Sequence, residues 1–355
     1  MKPAITHNVT VITHTGEQLD RLLPDWLVLA AAHGRSFYAR PWYSLSWWSY
    51  VRRGELALFV VYRGDRLVAL APLHRRRLLG QYVLRLLGHG LGTVGEILTA
   101  DDDAAAALWD AIADYRATLQ LTHVRPDDAA ILALRRHPQW QQHIEVNDRC
   151  LVTLLRETST ARSLRSARTV RQFRRYHAAL DRAGAPFAVE LLTDLDGLRR
   201  RWPEMVRVAA LADANHERQN LLDERWAPFS PAFLGREVNN GTMLVFGATA
   251  GGRWVAHDID FRCGGTLTQW FSLFDPSLSA QSLGHLILEW VIDHHTELGI
   301  DTIDASVGEN DFKLSWSNAG YDVASVTGSS AGLLSARARL GLAGALGGTA
   351  RALSR

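Results

Sequence analysis

Cysteine and lysine are scarce in this sequence of 355 residues. The two cysteines, Cys150 and Cys263, cannot form a disulfide framework. Their separation fits no metal-ligand spacing, so a cysteine-built metal site is excluded and a reducing cytoplasm is the expected setting. Among 39 basic residues only Lys2 and Lys313 are lysine, a bias expected of a GC-rich bacterial genome. An internal lysine in such a background suggests a place where a compact ammonium is wanted in preference to a planar guanidinium.

Three further absences narrow the class. The formal net charge is only +2, which by itself gives no reason to expect DNA or an anionic membrane. No apolar run reaches the ~18 residues that a membrane span needs. The N-terminus has no basic stretch followed by an apolar one, so no signal peptide is expected. What remains is ordinary globular material, 47% hydrophobic and 21% charged, long enough for two domains.

The hydrophobic pattern predicts an α/β protein in two halves, each a mixed central sheet flanked by helices. In the first half a strand over 9–13 and helices over 16–33 and 44–51 lead to a hairpin. Its strands, 56–63 and 66–75, turn at Gly64-Asp65. A strand over 82–87, a helix over 102–116 and strands near 119–124 and 150–155 complete it. In the second half a strand over 187–192, a helix over 195–212 and a short helix over 231–239 precede a meander. The meander strands, 243–249, 254–263 and 266–274, turn at glycine pairs; a helix over 281–298 and a strand over 302–305 follow. The repetition of hairpin and helix reads as an internal duplication without sequence identity. The expected division is 1–158, a basic helical connector over 159–185, a working half over 186–326, and a peripheral tail over 327–355.

The second half holds the candidate chemistry. Gln281-Ser282-Leu283-Gly284-His285-Leu286 opens a helix just after a strand. Unpaired amides and the positive end of a helix favour phosphate there; the plain alternative is an ordinary helix start with a packing glycine. Asp258 and Asp260 alternate with His257 and Ile259 on one predicted strand, so both carboxylates share a face. That face looks either into a cleft or into solvent. Trp270 and Ser272, on the neighbouring strand, are candidates to line the same cleft. Asp304 at a strand end and Glu309 after a glycine turn are rival bases.

Residues 256–316 resemble the CelD-type acetyltransferases, associated with cellulose biosynthesis, within the GNAT superfamily. The resemblance rests on Phe274-Asp275-Pro276, Ser282-Leu283-Gly284-His285-Leu286, Glu289, Leu298-Gly299, Ile303-Asp304, Gly308-Glu309-Asn310-Asp311-Phe312-Lys313 and Trp316. The first half is similar through residues 37–48 and Leu67-Val68-Ala69-Leu70-Ala71-Pro72-Leu73. The resemblance implies tandem GNAT-like domains, a fold shared with Fem-type aminoacyl transferases, with the first domain degenerate because it lacks counterparts of the Gln281 turn and of Lys313. It implies N-acyl transfer from acyl-CoA to the amine of a small molecule, with no metal. Residues Gln281 to His285 would hold the CoA diphosphate in a Q/R-x-x-G-x-G/A turn, from which Leu286 departs at the final position. It also implies Lys313 facing the oxyanion, one of Asp260, Asp258 and Asp304 as general base, and Trp270, Ser272 and Glu309 near the acceptor. The rival readings are an aminoacyl-tRNA-dependent ligase and a non-catalytic polysaccharide-associated protein.

Other signals are weaker. Gly90-Leu91-Gly92-Thr93-Val94-Gly95 matches a dinucleotide fingerprint but precedes an extended stretch and no helix. Gly328-Ser329-Ser330-Ala331-Gly332 matches a hydrolase elbow, yet no Asp, Glu or His follows it. Arg162, Arg165, Arg168, Arg171 and Arg175 form a stripe at helical spacing, suited to a solvated face or to phosphates. His294-His295 reads as helix surface, and Asn215-His216-Glu217-Arg218 as a solvated loop.

Overall fold

In the computed structural model, residues 6–51, 54–78, 81–91, 93–213, 220–227 and 229–330 are described. The loop at 215–218, Gly92, and the chain from Ala331 onward lie outside them. The first half runs β1 (Asn8–Ile12), α1 (Glu17–His33), α2 (Pro41–Val51), β2 (Glu55–Arg63), β3 (Arg66–Leu78), β4 (Gln81–Leu86), β5 (Leu98–Thr99), α3 (Asp102–Asp114), β6 (Thr118–Val124), α4 (Ala129–Arg136) and β7 (Gln141–Leu154). The second runs α5 (Ala161–Leu164), α6 (Ala167–Arg182), β8 (Phe187–Leu192), α7 (Leu195–Asp213), α8 (Ser230–Asn239), β9 (Met243–Ala250), β10 (Arg253–Cys263), β11 (Thr266–Phe274), α9 (Leu283–Asp293), β12 (Thr302–Val307), α10 (Asp311–Trp316) and β13 (Ala319–Ser329). Apart from the short β5 and the pair α5–α6, the two halves carry the same order of elements.

Two compact units form, and each borrows its last strand from the other half of the sequence. One comprises the residues before Cys150 with the segment from Asp322 onward; the other is Cys150–Tyr321. In the first unit β1, β2, β3 and β4 are antiparallel neighbours, and β4 meets β6 in parallel. β13 then joins the sheet antiparallel to β6, with Ala324 opposite Val124 and Ser329 opposite Thr118. Phe59, Leu73, Leu84, Trp109, Leu119 and Val326 meet in its core. The cap of α3 is the Asp101 side chain, accepting from Ala104 N–H at 2.9 Å, as expected of an acidic helix start.

In the second unit β8, β9, β10 and β11 are antiparallel, β11 and β12 parallel, and β12 antiparallel to residues 150–154 of β7. The sequence reading placed residues up to 326 in this half, but the ladder with β6 assigns Ala324–Ser329 to the first unit. Residues 328–330, the supposed elbow, lie at the end of this paired strand. The basic segment also departs from its expected role as a connector. Arg165 and Ser166 are extended and break it; Ser166 caps a new helix by accepting from Thr169 N–H at 3.2 Å. Phe173 and Leu180 then bury α6 against Leu286, Val291, Phe246 and Trp316. A buried aromatic such as Phe173 contributes roughly 2–3 kcal/mol of transfer free energy, so α6 is core structure.

Candidate active site

The site begins with a ladder that stops early. β11 and β12 pair only at Thr266–Thr302, Leu267–Ile303 and Thr268–Asp304, although β11 continues to Phe274 and β12 to Val307. Beyond Thr268 the two strands diverge. At the fork Ser306 has a left-handed backbone, φ 59°, unusual for a residue with a Cβ. It donates Oγ–H to the carbonyl of Gln269 at 2.6 Å and N–H to Asp304 Oδ1 at 2.8 Å. Such strain is held where surrounding structure fixes it, and it clusters at functional sites.

Asp258 and Asp260 lie on β10 beside this fork. Asp258 is opposite Phe246 and Ser272; Asp260 is opposite Leu244 and Gln269. Directly opposed residues share a face, so the pair lies on the face covered by α9, where Leu244 and Phe246 also pack. The expectation of a shared face holds, and the face is buried: Asp258 is 3% and Asp260 1% exposed. Burial pushes Asp258 up to about 7, against a hydrogen bond from Ser272. Burial and then the Asp258 charge push Asp260 well above the usual carboxylate range, partly offset by the N–H of Trp270. Two carboxyls this close cannot both ionise cheaply, so the pair retains a proton near neutrality. Asp260 Oδ1 is buried with no hydrogen-bond partner among the described residues.

A bulge explains where Trp270 goes. Ile259 pairs with Phe271 and Asp260 with Gln269, leaving Trp270 without an opposite residue. Its amide turns to Asp260, but its ring packs with Phe229, Phe233 and Phe261 at centroid distances of 6.4, 5.5 and 5.6 Å. Phe261 alternates with Asp260 along β10 and is on the other face. Trp270 therefore packs away from the carboxylates and not beside them as expected, whereas Ser272 is exposed and opposite Asp258.

The turn at Gln281 to His285 follows the open end of β11. The helix runs Leu283–Asp293, shorter than expected at both ends. Its N-cap Ser282 is left-handed, φ 49° and ψ 52°, and makes no capping bond, unlike Ser166 and Asn310 on α6 and α10. The amides of Leu283 and Gly284 have no acceptor within their own helix, whereas His285 N–H donates to the Ser282 carbonyl at 2.9 Å. Gly284 faces Phe312: a Cβ there would lie 3.6 Å from that ring. Gln281 Oε1 and Arg165 Nε are buried without hydrogen-bond partners among the described residues. His285 points inward. Trp316 Nε1–H donates to its Nδ1 at 2.9 Å, and its ring lies against Phe173 and Phe312. Burial, then the Arg165 charge, lower it to about 4, so it is neutral packing.

Lys313 follows Phe312 on α10. Its ammonium donates to the carbonyls of Val307 at 2.8 Å, Gly308 at 3.0 Å and Ser306 at 3.4 Å. It clasps the end of β12, an occupation the sequence did not suggest and one that uses its three donors. Asp304 accepts from Tyr321 O–H at 2.6 Å as well as from Ser306. Burial, then the Asp304 charge, raise the tyrosine's pKa. Asp304 is opposite Thr268, on the Phe261 face, so it is on the other side of the sheet from the aspartate pair. Glu309 is exposed in the loop before α10. Sequence reasoning missed Tyr321, Ser306 and His257. The last is buried opposite Gly247, lowered to about 3 by burial, with Nε2 lacking a partner among the described residues. No motif marks these three. His295, expected on a helix surface, is buried and donates Nε2–H to the Arg156 carbonyl at 2.8 Å. Among the described residues no group of three or more His, Cys, Asp or Glu is placed to hold a metal ion, and no helix is long and apolar enough to cross a membrane.

Residues 166–314 match the family model described as an acetyltransferase (GNAT) domain. No curated protein matches the sequence. Among solved structures, FemX superposes with a TM-score of 0.60 at 10% identity, over 89% of this chain and 96% of that one. A conserved protein of unknown function from Bacteroides thetaiotaomicron gives 0.58 at 12% identity, over 90% and 100%. L-PGS from Bacillus licheniformis gives 0.55 at 11% identity, over 94% and 98%. At such identities the likeness is one of fold. The chain is an α/β protein of two compact units with the same order of elements, and the match to the acetyltransferase (GNAT) domain falls within the second.

Proposed function

We propose that the second unit is an N-acyltransferase that moves an acyl group from acyl-CoA to the amine of a small molecule, and that the chain is akin to the CelD-type branch of the GNAT superfamily. The reading is carried by one conjunction: a parallel strand pair that opens after three residues, followed by a helix whose N-cap serine makes no side-chain cap to the amides of its first turn. An extended thioester arm fits the fork, and its diphosphate fits the amides of Leu283 and Gly284, with Gln281 and Ser282 beside them.

The buried pair supplies proton transfer. Its ionised carboxylate attracts a cationic amine and takes one proton, Asp258 being the member beside the exposed Ser272. The amine nitrogen attacks the thioester carbon, an N–C bond forms, the C–S bond breaks, and the CoA thiol leaves with a proton. Lys313 is placed on the helix that touches Gly284 through Phe312. To meet an oxyanion it would exchange one carbonyl contact for another negative partner. Asp304 and Glu309 remain as alternative bases, and the first unit is read as degenerate. The reading needs no metal, uses no DNA and places the protein in the cytoplasm of a bacterium.

Thermal shift against CoA, acetyl-CoA and longer acyl-CoAs tests it. A specific ligand at 100 times its Kd should stabilise the fold by about 2.7 kcal/mol. No shift with any of them would remove the reading.

A further inference from the structure

The outer face of α6 takes no part in the proposed chemistry, yet its exposed charge is almost all of one sign. Arg168, Arg171, Arg175 and Arg182 recur at i, i+3, i+7 and i+14, within one narrow sector of a helical wheel, and Arg174 stands beside them. All five are exposed, as is Arg162 just before the helix. None has an ion pair or hydrogen bond among the described residues. Several arginines elsewhere are matched, Arg63 with Asp101, Arg75 with Glu55, Arg201 with Glu190 and Glu204. The only acid on α6 is Asp181. Phe173 and Leu180 point the opposite way, into the core.

This helix packs directly on the donor turn. Phe173 stacks with His285 at 5.7 Å, and Arg165 lies over the Trp316 ring at 4.7 Å, whose indole N–H holds His285. A partner lying on the stripe is thus separated from the turn by the width of one helix, about 10–12 Å. The 16 residues of α6 span about 24 Å. A CoA nucleotide carries a diphosphate and one further phosphate, too few and too close together to meet charges strung along that length. The stripe presents no exposed aromatic ring, the usual partner of single-stranded bases. It has no large exposed apolar side chain, the usual anchor in a bilayer. Guanidinium forks match carboxylates in bidentate pairs, and an acidic protein can bring both the charge and the thioester.

We infer that an acidic carrier protein can deliver the acyl group in place of free acyl-CoA, docking on the arginine stripe of α6 while its phosphopantetheine arm, the part it shares with CoA, enters the fork at the α9 turn. The inference rests on the thioester reading above. The chemistry is unchanged: the C–S bond of the arm breaks and the thiol stays on the carrier with a proton.

The test is binding of a holo-acyl carrier protein, without acyl group, to the full chain across a salt series, beside R168E/R171E/R175E and its neutral counterpart R168Q/R171Q/R175Q. Tight binding at low salt that weakens steeply with salt is expected. The reversal variant should weaken it by tenfold or more, on the order of electrostatic steering losses, and the glutamine variant by less. CoA protection against heating should be the same in all three proteins. Absence of carrier binding at low salt, or binding indifferent to both variants, overturns the inference while leaving the thioester reading intact. So does capture of transfer RNA or anionic vesicles, lost on charge reversal, with carrier binding unaffected. Loss of protection by CoA and by pantetheine in the unaltered protein would instead defeat the thioester reading itself.

Discussion

Asp258→Asn should make the protein more stable in alkaline solution and leave it unchanged in acid. The carboxyl titrates near 7 in the fold and near its ordinary 3.8 when unfolded. Between these values the folded state binds more protons than the unfolded state, so stability falls as pH rises. Below about pH 3.8 both states are protonated and there is no penalty. Above 7 both are ionised, and the folded state bears the whole cost of a buried charge. At 1.36 kcal/mol per tenfold change in proton concentration, that cost is roughly 4 kcal/mol. Asp258 is 3% exposed, so bulk water screens little of it, although local relaxation lowers the figure. Asparagine removes the charge at similar volume. Denaturant midpoints of both proteins from pH 4 to 9 should coincide at the acid end and separate by a few kcal/mol at the alkaline end, the variant being the more stable. Its turnover should meanwhile fall, and the rate of the unaltered enzyme should rise with pH through about 7. Parallel stability curves across the range would show that the carboxyl is not buried as described, and the argument for a retained proton would go with it.

Three further outcomes are expected. Lys313→Met should lower kcat with CoA protection largely kept, and should lose about 1–2 kcal/mol of stability as the Val307 and Gly308 carbonyls lose their donor; unchanged steady-state rates would remove its catalytic role. Ser282→Gly should tolerate its left-handed backbone, whereas Ser282→Val should cost roughly 1–2 kcal/mol and weaken CoA binding, since a β-branched residue resists that conformation; equal Kd values by calorimetry would count against the turn. Gly247→Ala should destabilise by about 3 kcal/mol, because its Cβ would lie 1.7 Å from the Trp254 ring, and a midpoint loss below ~1 kcal/mol would contradict that packing.

Much of the fold was legible because it rests on local pattern. The hairpin at Gly64-Asp65 and the meander with turns at Gly251-Gly252 and Gly264-Gly265 follow from periodicity and turn residues. The common face of Asp258 and Asp260 follows from the two-residue repeat of a strand. Their burial does not, since it depends on α9 and on strands paired across the unit. The bulge at Trp270 carries no glycine to announce it, so a continuous alternation put its ring on the wrong face. The link from Tyr321 to Asp304 spans 17 residues and joins elements whose approach only the sheet order decides. α10 and β13 were missed because a helix of 6 residues and a strand whose first residues are only partly buried carry weak periodic signals. The exchange of final strands between units leaves no local trace at all.

The open fork has a consequence for how specificity is stored. Past Trp270, β11 runs on with no ladder to β12, so its free edge has main-chain N–H and C=O groups to offer whatever enters the gap. A visitor with its own amide groups can satisfy them by adding itself as a strand, and that recognition is written in backbone spacing instead of side-chain identity. Residues along this edge are then free to drift so long as they stay extended, and distant relatives can keep one ligand while sharing little sequence.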